Sequence, residues 1–143
     1  DHGFQHEVLV VMLGKTFEEV MQRFREMEFH ENFDMIIAIA NGGIIPAAII
    51  NQRLGVEFQV LKINLRDVNQ KPKYDNPQLL SQIDFVFKNK TVLLVEDRIK
   101  TGATVNFAVE LLKEAKTVKT FAVNGNADYA LYNENCFRFP WII

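Results

Sequence analysis

Two uninterrupted apolar runs, Met35-Ile36-Ile37-Ala38-Ile39-Ala40 and Thr91-Val92-Leu93-Leu94-Val95, set the limits on what this chain can form. Neither alternates with polar residues, so both suit strands covered on two faces rather than strands with one side in water. Each run passes into a glycine-bearing turn and then a helical pattern. Strand, turn and helix repeated in this way argue for an α/β fold with a central parallel sheet flanked by helices.

The remaining patterns fit that frame. Thr16-Phe17-Glu18-Glu19 is a capping box, and the helix it opens carries Phe17, Val20, Met21, Phe24 and Met27 on one stripe. Asn41-Gly42-Gly43 leads into a helix from Ile44 to Leu54 that closes at Gly55, with Pro46 tolerated in its first turn. Val8 to Leu13 reads as a short strand. Val56, Phe58 and Val60 alternate as a half-buried strand toward Leu65. Residues 104–115 read as a helix, 118–123 as a further strand, and 136–143 as an aromatic-rich ending.

At 143 residues the chain reads as one domain, large enough to bury a core without staples. Its 48% apolar and 24% charged content is that of a globular protein. A net charge of −2 gives no general attraction to nucleic acid or to an anionic membrane. The single cysteine, Cys136, excludes an internal disulfide and fits a reducing compartment. No apolar run reaches the roughly 18 residues of a membrane span, and no secretory signal pattern is visible. The expectation is a cytoplasmic domain with neither nucleic acid nor membrane as partner.

Residues 92–104, Val-Leu-Leu-Val-Glu-Asp-Arg-Ile-Lys-Thr-Gly-Ala-Thr, carry the chemistry. The adjacent acids Glu96 and Asp97 stand where open α/β sheets hold their ligands, at the carboxyl end of a strand. They cannot neutralise each other, so they need hydroxyl donors, a cation, or both. The loop beyond them, Ile99, Lys100, Thr101, Gly102, Ala103 and Thr104, offers backbone N–H groups, two hydroxyls and a helix N-terminus to a phosphate. Gly102 suits a tight turn that needs positive φ. Acids for sugar hydroxyls beside a phosphate cradle describe a site for a ribose 5-phosphate group. G-x-x-x-x-G-K-[ST] and G-x-G-x-x-G are both absent, which argues against a nucleoside triphosphatase or a dinucleotide-binding fold.

Residues 92–104 resemble the phosphoribosyl-pyrophosphate motif of the type I phosphoribosyltransferases. Residues 36–46, a strand ending in a glycine pair that enters a helix, resemble the pyrophosphate loop of the same family. The closing Phe137-Arg138-Phe139-Pro140-Trp141 is similar to the ending of the short xanthine–guanine members. The resemblance implies the type I phosphoribosyltransferase fold over residues 1–143, with a small C-terminal hood at about 124–143 and a flexible lid at about 66–85. It also implies a reaction, Mg²⁺-dependent displacement of pyrophosphate from phosphoribosyl pyrophosphate by a purine-like nucleobase.

Carried over by position, Glu96 and Asp97 face the ribose hydroxyls directly or through metal-bound water, and residues 99–104 hold the 5-phosphate. Asn41, Gly42 and Gly43 face the pyrophosphate. Arg66, Lys71 and Lys73 in the lid balance its charge, or else lie in an ordinary solvated loop. Asp97 and Lys100 are the candidate catalytic residues, and Val123, Cys136 and Phe137 fall at base-binding positions. Members of the family often pair, so a homodimer is a further expectation.

Four positions depart from the purine-type pattern. Asn41 stands where a basic residue is common, and Lys100 where an aspartate serves the base. Val123 replaces a lysine that meets the 6-oxo group, and Cys136 replaces a stacking aromatic. The ribose-phosphate half of the site therefore reads as intact and the base half as rewritten. Phe137 and Trp141 are alternative stacking partners, with simple packing the better expectation for Trp141. Cys136 lacks any neighbour that would lower its pKa and reads as a buried, inert thiol. His2, His6 and His30 share no metal-ligand spacing. Phe29, Phe33 and Phe107 read as core. Three functions stay open: a phosphoribosyltransferase, a non-catalytic relative that binds phosphoribosyl pyrophosphate or a nucleotide, and a doubly wound domain in which the acid–Thr–Gly loop is coincidental.

Overall fold

A computed structural model describes residues 14–64 and 77–143. Its helices are α1 (Phe17–Glu26), α2 (Ile44–Leu54) and α3 (Ala103–Leu111). Its strands are β1 (Met35–Ala40), β2 (Glu57–Asn64), β3 (Gln78–Leu79), β4 (Thr91–Ile99), β5 (Thr117–Gly125) and β6 (Tyr129–Tyr132). They form one sheet of order β3-β2-β1-β4-β5-β6, parallel except for the antiparallel edge strand β3. The expected strand at Val8 to Leu13 lies outside the described residues, as do Arg66, Lys71 and Lys73.

The order of the strands decides where a ligand can sit. From β1 the chain runs through α2 to β2 on one side, and from β4 it runs through α3 to β5 on the other. The β1–β4 pair is thus the switch point at which the loops diverge and leave a crevice. The two helices cover opposite faces. Ala47 and Ile50 of α2 join Val20, Phe24, Leu93, Val95 and Phe121 in one core cluster. Val105 and Ala108 of α3 join Met35, Ile37, Val92 and Leu94 in the other.

Local chemistry fixes the ends. The Thr16 hydroxyl accepts from Glu19 N–H (3.1 Å) to start α1, and Gly55 ends α2 in the left-handed region at φ 60°. Phe17, expected on the buried stripe, is instead 54% exposed, because it stands at the first turn before the helix reaches the core.

The second half of the expected lid is attached to the core. Within 77–85, β3 pairs with β2 through Ile63↔Leu79, and Ile83 and Phe85 pack against the α3-side core. The hood differs too, since part of 124–143 is β6, an edge strand of the main sheet. The chain doubles back through Thr120 and Asp128: Thr120 N–H and Oγ1 donate to Asp128 Oδ2 (2.8 and 3.0 Å). The rest of the hood meets the amino end of the described chain. Gly14 has no room for a side chain beside the Arg138 backbone, and Lys15 pairs with Glu134 at 2.8 Å.

Candidate active site

β4 is longer than its apolar run, continuing through both acids to Ile99 and pairing Glu96↔Ala122 and Arg98↔Asn124 with β5. Along this stretch the side chains change phase. Leu93 and Val95 belong to one core cluster, Val92 and Leu94 to the other, yet Ile99 packs with the second. Strict alternation would put Ile99 with Leu93. At the phase change the acids bond to their own backbone: Asp97 N–H donates to Glu96 Oε1 (2.9 Å), and Arg98 N–H to Asp97 Oδ1 (2.6 Å).

The acids are half-buried, and they differ. Loss of water around Glu96, with the negative charge of Asp97 beside it, pushes its pKa up to about 9. Burial and the neighbouring carboxylate thus favour the protonated form of Glu96 in the free protein.

After Ile99 the loop is tight. Gly102 adopts φ 85°, and α3 begins at Ala103, one residue ahead of expectation. The Thr101 hydroxyl accepts from Ala103 N–H (3.2 Å), so one N–H of the cradle is used internally. Across the crevice the Ala40–Asn41 peptide is cis. Gly42 and Gly43 follow at close quarters. A β-carbon on Gly42 would lie 2.5 Å from the Asp97 carboxylate, and one on Gly43 would lie 2.2 Å from the Val95 carbonyl oxygen. Only glycine lets these two loops touch.

A cavity of about 460 Å³ opens here, lined by Ala40, Gly42, Ile63 and residues 96–105. It brings together Glu96, Asp97, Ile99, Lys100, Thr101, Gly102, Ala103 and Thr104. Asn41 is exposed beside it and Gly43 is buried beneath it.

A second cavity, about 440 Å³, lies against the hood and is lined by residues 97–98, 136–139 and Ile142. Asp97 and Arg98 border both hollows. Arg98 Nη2 donates to the Phe137 carbonyl (2.5 Å), and its guanidinium lies 4.5 Å from the Phe139 ring centre. Phe139 also stacks on Trp141, with ring centres 5.3 Å apart, so Trp141 packs as expected.

The candidate base contacts fare unevenly. Val123 is fully buried in the core and reaches neither cavity. The Phe137 ring is buried and engaged edge-on by Tyr132 and Phe139. Cys136, read from sequence as buried, is exposed, because its neighbour Phe137 is the residue that turns inward.

Two residues escaped the sequence reading. Arg98 sits inside the motif, where an arginine between an acid and the apolar Ile99 was the available signal. Asn124 is buried at the end of β5 and clamps the hood: its Nδ2 donates to the Glu134 and Asn135 carbonyls, and its Oδ1 accepts from Glu134 N–H.

The family model for the phosphoribosyl transferase domain matches residues 14–138. The chain belongs to the phosphoribosyltransferase family. A xanthine-guanine phosphoribosyltransferase of Idiomarina loihiensis is 26% identical over 136 residues, covering 88% of this chain and 84% of that relative. An adenine phosphoribosyltransferase of Campylobacter fetus is 30% identical over 122 residues, covering 78% and 67%. Among solved structures, a purine phosphoribosyltransferase from Pyrococcus horikoshii superposes with a TM-score of 0.71 at 26% identity, covering 89% of this phosphoribosyltransferase domain and 91% of that chain. The family, the fold and the kinship with purine enzymes match what residues 36–46 and 92–104 implied.

Proposed function

We infer that this phosphoribosyltransferase domain transfers ribose 5-phosphate from phosphoribosyl pyrophosphate to a purine-like base and releases pyrophosphate. One observation carries the reading: two cavities, one of phosphate-cradle and acid chemistry and one aromatic, share Asp97 and Arg98 as a common wall. In this account residues 99–104 hold the 5-phosphate, while Glu96 and Asp97 accept from the ribose hydroxyls. Asn41, Gly42 and Gly43 face the pyrophosphate, and the base enters against the hood. C1 then lies near Asp97. A base nitrogen forms the new bond to C1 as the bond to the pyrophosphate oxygen breaks, and the N–H proton of the base passes to the departing pyrophosphate.

The roles of the charged groups follow. The Asp97 carboxylate faces the positive charge that grows on the ribose ring in the transition state. Lys100 lines the phosphate cavity and not the hood cavity, which favours neutralising phosphate charge over donating to the base. Arg66, Lys71 and Lys73 belong to the proposal as the cations of a lid.

The residues fit Mg²⁺. Glu96 and Asp97 are hard oxygen donors, and among the described residues no group of three or more His, Cys, Asp or Glu forms a closed metal cage. Mg²⁺ commonly takes one or two carboxylates with substrate phosphates and water. When bound, it would supply charge neutralisation for the leaving pyrophosphate. Pairing into a homodimer and a cytoplasmic location complete the proposal. Among the described residues no helix is long and apolar enough to cross a membrane.

Pyrophosphate release measured over a panel of purines and pyrimidines with phosphoribosyl pyrophosphate and Mg²⁺ tests the reading. Turnover with at least one purine is expected. Binding of phosphoribosyl pyrophosphate with every base inert would replace it with a non-catalytic, nucleotide-sensing relative, a reading that the buried Val123 and the engaged Phe137 ring favour.

A further inference from the structure

Arg98 is an unusual wall for an aromatic hollow. Its guanidinium is permanently charged and can only donate hydrogen bonds. One nitrogen donates to the Phe137 carbonyl, but Nε is buried without any partner, the only such buried side-chain atom among the described residues. No carboxylate lies within ion-pair distance of Arg98 among the described residues. Asp97, next in the chain, turns its carboxylate toward Gly42 on the opposite side. A half-buried cation with an orphaned donor is costly until an acceptor reaches it.

We propose that Arg98 sets the choice of base, taking a purine whose edge carries an exocyclic oxo acceptor and rejecting the 6-amino purine. The proposal rests on the phosphoribosyl reading above and adds its specificity. The other cations lie outside this hollow or, as with Arg138 on its wall, already have an acceptor. Val123 offers none and is buried, Lys100 borders the other cavity, and Arg138 is exposed and donates to the Ile142 carbonyl at 3.0 Å. The guanidinium is held over Phe139, so its donors have limited freedom to turn away. An oxo group accepts from them. An amino group would set donor against donor, leaving the arginine unsatisfied as well.

Calorimetry on the intact chain tests this with ribose 5-phosphate, inosine 5′-monophosphate and adenosine 5′-monophosphate. Ribose 5-phosphate should bind, and the inosine nucleotide should bind at least about tenfold more tightly than the adenosine one. In Arg98→Leu that ratio should fall to near one, while Arg98→Lys, which keeps a donor cation, should keep part of it. No binding of ribose 5-phosphate removes the phosphoribosyl reading and this inference with it. Ribose 5-phosphate binding with equal affinity for both nucleotides leaves the former standing and overturns only the choice assigned to Arg98. That wild-type comparison decides the matter even where the leucine variant fails to fold.

Discussion

The carboxylate of Asp97 occupies the space that a side chain on Gly42 would need: an ideal β-carbon there lies 2.5 Å from Asp97 Cγ and Oδ2. The loop after β1 and the acid pair of β4 are therefore in direct contact across the switch point, and their fit depends on a missing methyl group.

Gly42→Ala should accordingly displace Asp97 while leaving the sheet formed. Overpacking of this kind costs about 1–3 kcal/mol. Thermal melting should show a modest loss, whereas kcat/KM should fall by at least about tenfold, since small misplacement at a reacting centre has large effects on rate. Wild-type kcat/KM in this variant would separate Gly42 from the site.

Asp97→Asn preserves shape and the acceptor for Arg98 N–H but removes the charge. Affinity for phosphoribosyl pyrophosphate with Mg²⁺ should drop about tenfold or more, in line with the loss of one charge-assisted contact. Titration calorimetry measures it, and unchanged affinity would remove Asp97 from the ribose side.

Glu96 makes stability depend on pH. Its carboxyl has an ordinary value of 4.5 and is held near 9 in the fold, by burial first and by Asp97 second. Because the unfolded chain gives up this proton first, the contribution is full below about 4.5 and declines as pH rises toward 9. Glu96→Gln should flatten that decline. At pH 9 its Tm should exceed the wild type's by about 3 °C or more, the shift that ~1 kcal/mol gives a domain of this size.

Asn124→Ala leaves the Glu134 and Asn135 backbone groups without their partner. The expected cost is about 1–3 kcal/mol in urea unfolding. KM for the base should rise more than kcat changes, because the loosened segment leads into residues 136–139 of the hood cavity. Equal effects on both constants would argue against a role in positioning the hood.

Lys100→Asp replaces a cation that lines the phosphate-side cavity with a carboxylate. Affinity for phosphoribosyl pyrophosphate should fall about tenfold or more, as titration calorimetry reads it. Unchanged affinity would remove Lys100 from the phosphate side.

Legibility in the sequence followed hydrophobic burial closely. Met35–Ala40 was readable to the residue because Met35 to Ile39 are all buried in the core and Ala40 is half-buried at its end. β4 was read as ending at Val95, since the three residues that follow, Glu96, Asp97 and Arg98, are charged although the strand continues through them to Ile99. β3 has two residues and β6 four, too few for any period to show, and both exist because neighbouring strands hold them. The conformation of the loop at 99–104 was legible because glycine and threonine act locally. The surroundings of Val123, Cys136 and Phe137 were not, because these residues take their orientation from strand register and from packing of an aperiodic tail.

Asp97 and Arg98 are covalent neighbours, and each borders both hollows. Any backbone adjustment that retunes one compartment must drag the other, so under the proposed function preference for the aglycone cannot drift there without disturbing the grip on the sugar. Diversification of substrate choice in such a molecule is channelled instead into the tail from Cys136 to Ile142, which touches a single compartment and can vary at little cost to the other.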